Sequence, residues 1–425
     1  MRIFKGFLVS FLLLFSITPA HAIEIPASFN FQGTGYGHGV GLSQIGARGM
    51  ALNGESAQSI LSYYYSGTQI LSLPDNQNIR VNIGHLLSQA TLRSGTPDST
   101  LNVYMGDVGE DLAAIPAASL TSKSSLSLIQ LGRSISAFMI TGKNSQLIGT
   151  NSTWSVRWSG TRYLEGNPST ISVRANSKSI KYRYGQIQVK SVRAPLLGHR
   201  MEITNTVRIH DEYLFGISEV PSSWPAQALI AQAIASRSYA LSKLGVPRAA
   251  CDCNVYNNIS DQSFAGFSKE TEPIYGQLWK AAVQASSTSE TTGQVVTLNG
   301  IPITAFFTSS SGGVTETSVN AWGRERSFTN SVPDPYSQDP ILNPRFFNWN
   351  RPLPQSVLAK AFVLSDVVAL SINSRNPTGT VATITATSSD GKTSILRGET
   401  FRSRTQLPSA WFNLIGVQDG IQSTP

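Results

Sequence analysis

From Gly33 to Gly41 every second residue of the chain is glycine, in the stretch "GTGYGHGVG". No other part of the sequence restricts the fold so tightly. As a strand, a period of two puts all five glycines on one face and Thr34, Tyr36, His38 and Val40 on the other. Glycine weakens a strand, so a whole face of it marks the close approach of another backbone or of a flat ligand. A phosphate cradle is a poorer match, because neither G-x-x-x-x-G-K-[ST] nor a strand–GxGxxG–helix context is present. Two short helices are expected next. One is capped by Ser43 and followed by Gly54, and the other is capped by Ser56 and stopped by Gly67. Neither can stand alone, so the block 23–72 must dock on something distant.

The chain begins "MRIFKGFLVSFLLLFSITPAHA", with Arg2 and Lys5, an apolar run and a small-x-small end at Ala20-His21-Ala22. Residues 1–22 therefore read as a secretory signal, and the apolar run is short for a membrane span. Cleavage would lower the formal net charge from +8 to +6, by loss of Arg2 and Lys5. A basic surface outside the cell fits an anionic polymer such as an envelope glycan or teichoic acid, and it equally fits plain solubility. Nucleic acid fits poorly without a dense basic run. Only Cys251 and Cys253 carry thiols, and no histidine follows His210. A disulfide or free thiols suit that pair better than zinc, so no cofactor is expected.

Residues 73–208 hold short alternating runs between Ser, Gly, Asn and Pro, and read as a β-rich region. Its Trp154, Trp158 and Tyr163 suit sheet core better than a sugar platform. Residues 209–345 hold a long helix in "SSWPAQALIAQAIASRSYALSKLG", with Ser223 as its expected cap and one apolar side. A second helix follows in "PIYGQLWKAAVQASS", and then a hairpin turning at Asn299-Gly300. Residues 346–425 mix helices with strands. The sum is an α+β fold.

Glu219 has the best-defined acidic context, in "LFGISEVPSSWPAQAL". Its apolar neighbours raise a carboxyl pKa, while the coming helix lowers it. If desolvation prevails, Glu219 keeps a proton near neutral pH, as glycan cleavage requires. "TSSSGGVTET" lacks the G-x-S-x-G elbow of a serine nucleophile. It reads as a hydrogen-bonding shelf beside a cleft, with Glu316 either structural or aimed into it.

Taken together, "YLFGISEVPSSWPAQALIAQAIASRSYAL", "ITAFFTSSSGGVTETSVNAWG", "SVPDPYS", "FRSRTQLPSAWFNL" and "GYGHGVGLSQIGARGMALNG" resemble the stage II sporulation protein D and amidase-enhancer (SpoIID/LytB) family. Here the Gly-His-Gly block opens the domain instead of closing it, an order that looks like circular permutation. The resemblance implies a lytic transglycosylase acting on bacterial peptidoglycan, or a wall-bound enhancer of an N-acetylmuramoyl-L-alanine amidase. With the leader it implies a secreted or wall-associated location, and no other stretch of the sequence is long and apolar enough to span a bilayer after cleavage. The catalytic position of the family falls on Glu219. Candidate glycan contacts are Gly37, His38, Gly39, Ser43, Gln44, Arg237, Tyr256, Ser310, Ser311, Gly312, Gly313 and Glu316. His38 and Glu219 are expected to share one cleft.

Overall fold

Alternating apolar residues between 78 and 208 build two antiparallel sheets over one core. The computed structural model describes residues 25–415, so the expected leader lies outside the described residues. One sheet has seven strands, in the order Val255–Tyr256, Asn78–Leu87, Gly198–Arg208, Gln186–Ala194, Thr153–Trp158, Thr100–Met105 and Ala118–Thr121. All of its pairs are antiparallel except the short Val255–Tyr256 edge. The other has six: Asn144–Asn151, Ser134–Thr141, Ser124–Leu131, Gln89–Ser94, Ile171–Ala175 and Lys178–Tyr182. Leu92, Leu126 and Ala137 from the six meet Val156, Ile187 and Val189 from the seven in a single buried cluster. Trp154 fastens the two by donating its indole N–H to the Ile135 carbonyl at 3.0 Å. Trp154 and Trp158 are fully buried and Tyr163 nearly so, which makes them sheet core.

The helix Ala226–Ser242 lies against Gly276–Ala285, the strand Thr292–Leu298 and the two short helices Gln44–Leu52 and Ala57–Tyr64. Two expectations about it are corrected. Pro225 occupies the cap position and Ser223 makes no cap. Its buried residues run almost without a break from Ala228 to Ala240, so it is enclosed on nearly all sides. Alanine and serine at most of these positions leave room for neighbours all round. Ser43 and Ser56 do cap their helices, by accepting from the backbone N–H groups of Gly46 and Ser59. The hairpin also forms at Asn299-Gly300, where both residues take positive φ as its two-residue turn demands.

A separate core serves the C-terminal part. Phe31, Phe401 and Phe412 meet ring to ring at centroid distances of 5.5 to 5.6 Å, joined by Trp349, Leu358 and Phe362. Phe31 belongs to the strand Ser28–Gly33, which lies between Trp349–Pro354 and Phe412–Ile415. The two ends of the described chain thus share one small sheet. The whole is α+β and rich in β structure, as expected.

The glycine ladder is not the strand that its period suggests. Regular pairing stops at Gly33, and Gly35, Gly37, Gly39 and Gly41 take φ of +83°, +113°, +78° and +76°. The period of two is one of repeated left-handed backbone, which only glycine adopts at little cost. Its neighbour is the segment 306–316. Tyr36 and Ser310 exchange backbone hydrogen bonds at 3.0 and 3.2 Å, and Glu316 N donates to Gly39 O at 2.8 Å. A Cβ on Gly37 would lie 2.1 Å from Thr308 Oγ1, and one on Gly41 would lie 2.1 Å from Phe306 O. The close approach inferred from glycine is real, and the approaching group is the chain itself.

Candidate active site

Glu219 sits on a short ribbon. Ile217 bridges Phe264 antiparallel, Ser218 N donates to Ser263 O at 2.8 Å, and Ala265 N donates to Gly216 O at 2.8 Å. This pairing brings Ser263 N–H to Glu219 Oε1 at 2.5 Å. The other carboxyl oxygen has no partner among the described residues. Burial raises the Glu219 pKa to about 7, against the lowering effect of the Ser263 N–H. Desolvation has therefore prevailed, and the helix, which begins only at Ala226, is not what holds this group.

The carboxyl opens on a surface hollow of about 640 Å³ lined by Val220, Pro221, Ala265, Lys269 and Glu272 among others. Glu272 shares the hollow, and its pKa moves in the opposite direction. The Ser222 hydroxyl donates to it at 2.6 Å, and with Lys269 at 3.4 Å this holds its pKa below the ordinary value. Lys269 also donates to the Val220 carbonyl at 2.8 Å, which ties the hollow's floor to the Glu219 turn. Behind Glu219 stand Tyr213 and Tyr239, both raised in pKa, first by burial and in smaller part by the Glu219 charge. Their hydroxyls donate to Gln262 and Asp261 at 2.7 and 2.8 Å. Asp261 is clamped from the other side by both terminal nitrogens of Arg248, at 2.7 and 2.8 Å. Ser263, Asp261 and Glu272 carry no local sequence signal, since nothing in "NNISDQSFAG" or around Glu272 separates them from ordinary loop residues.

The other candidates fall into three groups. Gly37, His38, Gly39, Ser311 and Glu316 line a cavity of about 10 Å³, room for about one water. His38 Nδ1 accepts from Val40 N at 3.0 Å, which places the ring proton on Nε2. Burial and then the Arg402 charge push its pKa down to about 3, so it is neutral. This cavity is not the hollow of Glu219, and the expected single cleft for residues 38 and 219 is corrected to two separate sites. Aromatic packing runs between them: His38 to Phe306 at 6.4 Å between centroids, and Phe307 to Tyr239 at 6.4 Å.

The second group is built into the walls. Ser43 caps a helix, and Gln44 donates to Gln232 at 3.2 Å. Ser310 is buried, and Ser311 donates to Asp334 at 2.7 Å. Glu316 accepts from Thr317 N, Asn320, Thr378 and Thr380, which fills both its oxygens and resolves its two readings toward structure. Gly312 and Gly313 turn the chain beside Thr34 and Gln338. Arg237 is wholly buried, with Nε 2.7 Å from Asp75 and Nη1 donating to Ser286 and Gln294. It cannot reach a glycan. Tyr256 forms the third group, partly exposed beside Arg248, with its backbone N–H on Asp261 at 2.9 Å. Cys251 and Cys253 are joined in a disulfide.

Residues 198–298 match the family model described as stage II sporulation protein, SpoIID. Over 105 residues the chain is 32% identical to the amidase enhancer of Bacillus subtilis strain 168, covering 25% of this chain and 12% of that protein. Over 182 residues it is 24% identical to stage II sporulation protein D of the same organism, covering 41% of this chain and 51% of that protein. The chain thus spans about half of one relative and a small part of the other. No solved structure matches it. The matched segment contains Glu219, Ser263, Asp261 and Glu272, but neither the ladder nor the serine run.

Proposed function

We propose that this chain, whose residues 198–298 match the SpoIID family model, is a lytic transglycosylase that cleaves peptidoglycan glycan strands with Glu219 as both acid and base. The observation that carries this reading is one carboxyl group with a pKa near 7, one oxygen held and the other free, at the edge of an open hollow. Protonated Glu219 gives its proton to the glycosidic oxygen. The carboxylate so formed takes a proton from the muramic acid 6-hydroxyl as that oxygen attacks the anomeric carbon. The bond to the leaving sugar breaks and a 1,6-anhydro end remains. Ser263 N–H steadies the carboxylate between the two steps. A water-activating partner is not required by this route.

Tyr256 is kept as a glycan contact in this reading, and the buried candidates shape the surrounding walls. The family is related to the cell wall, and among the described residues no helix is long and apolar enough to cross a membrane. Secretion to the bacterial envelope, through the leader at residues 1–22, and the permuted order of the family blocks belong to the same proposal. Digestion of purified glycan strands by wild type and by Glu219→Gln tests it. Anhydro-muropeptides released only by wild type are expected, and equal release by both would refute it. A second reading, a non-catalytic enhancer of a wall amidase, is favoured by the name of the relative with the higher identity. It requires stimulation of an added amidase that survives Glu219→Gln.

A further inference from the structure

The open face of the six-stranded sheet carries charge of one sign. Its strands, Gln89–Ser94, Ser124–Leu131, Ser134–Thr141, Asn144–Asn151, Ile171–Ala175 and Lys178–Tyr182, include arginines and lysines but no aspartate or glutamate. Register puts Arg93, Ser172 and Lys181 in one row across three neighbouring strands. Arg174 follows two residues along the middle strand, flanked by Thr91 and Ser179. With strands about 4.8 Å apart and about 6.7 Å between alternate residues, three cations arise within roughly 10 Å of one another. They line a hollow of about 590 Å³ together with serine and threonine hydroxyls.

Arg93, Arg174 and Lys181 are exposed, and among the described residues their side chains have no ion pair or hydrogen bond. Elsewhere the chain matches many of its arginines with carboxylates: Arg80 with Asp252, Arg208 with Asp211, Arg248 with Asp261 and Arg402 with Glu399. Like charges crowded on one concave face repel each other unless an anion joins them. We propose that this face is a binding site for a linear polyanion bearing a phosphate in each repeat. Guanidinium forks pair with phosphate oxygens two at a time, and the hydroxyls between them donate to the oxygens left over. The density of cations suits a chain charged at every few ångströms better than widely spaced carboxylates. The site lies on strands outside residues 198–298 and is independent of the proposed cleavage reaction.

Binding of inorganic polyphosphate to the chain from residue 23 onward, followed by fluorescence polarisation over a range of salt concentrations, tests the proposal. The variant Arg93→Gln/Arg174→Gln/Lys181→Gln should bind at least about tenfold more weakly. Its slope of log affinity against log salt should be shallower by about two, at about 0.7 per neutralised charge. The variant Lys123→Gln/Arg133→Gln/Lys143→Gln removes equal charge from exposed hairpin turns and should change affinity less than about threefold. Equal loss in both variants, or none in either, overturns the site. Poly-glutamate bound as tightly as polyphosphate, and weakened equally by the first variant, overturns the assignment to phosphate. Circular dichroism of both variants should match wild type, since no partnered side chain is removed.

Discussion

Glu219 carries the most testable chemistry. Its proton is lost near pH 7, so cleavage should be level at mildly acidic pH and fall about tenfold per unit above about 7. A pH profile of kcat/KM on glycan strands checks this. Glu219→Gln should lower kcat by about 10² to 10⁴, while its amide oxygen can still accept from Ser263. The same burial has a stability sign. A carboxyl whose folded pKa exceeds its unfolded value favours folding most below the unfolded value, and that advantage is lost as pH rises through about 7. Glu219→Gln should therefore be more stable than wild type at pH 8, by about 1–3 kcal/mol, measured by urea unfolding at pH 5 and pH 8. The conflict between desolvation and helix dipole at this position is legible in the sequence. Its outcome is not, because the loop that packs on Glu219, and brings the Ser263 N–H to it, lies 44 positions away.

At the scale of elements, the ladder separates two kinds of glycine. Gly37→Ala would place a methyl group against Thr308 at a φ of +113° and should cost about 2–4 kcal/mol. Gly54→Ala, with φ of +88° and nothing within 4 Å, should cost about 1 kcal/mol. Thermal unfolding of the two variants compares them directly. Local signals read well here: the caps at Ser43 and Ser56, the Asn-Gly hairpin and most strands follow from a few neighbouring residues. The ladder's period points to a strand because period two is common to extended chain and to alternating left-handed turns. Only the partner segment decides between them, and it lies far along the chain. Arg237 reads as a glycan contact for the same reason. "ASRSYA" does not reveal that its guanidinium meets Asp75 in a dry interior.

Across the whole molecule, Asp75 joins the parts. It accepts from Arg237 and pairs with His210, at 2.7 Å each, and its backbone N–H reaches the Thr291 carbonyl at 3.1 Å. Asp75→Ala strands a buried guanidinium and should cost about 3–5 kcal/mol, read as a lower urea midpoint. The small sheet at the ends of the fold has a further consequence, for the order in which the molecule can be made. Ser28–Gly33 is its middle strand, and both partners, Trp349–Pro354 and Phe412–Ile415, lie far along the chain. A ribosome or an export channel that delivers the N-terminus first releases this strand long before anything can pair with it. Until Phe412–Ile415 emerges, Phe29 and Phe31 have no complete core to enter, and the C-terminal part cannot close. Synthesis and folding are thereby kept apart in time, and an interrupted chain is left open, with its first strand available to proteases and chaperones.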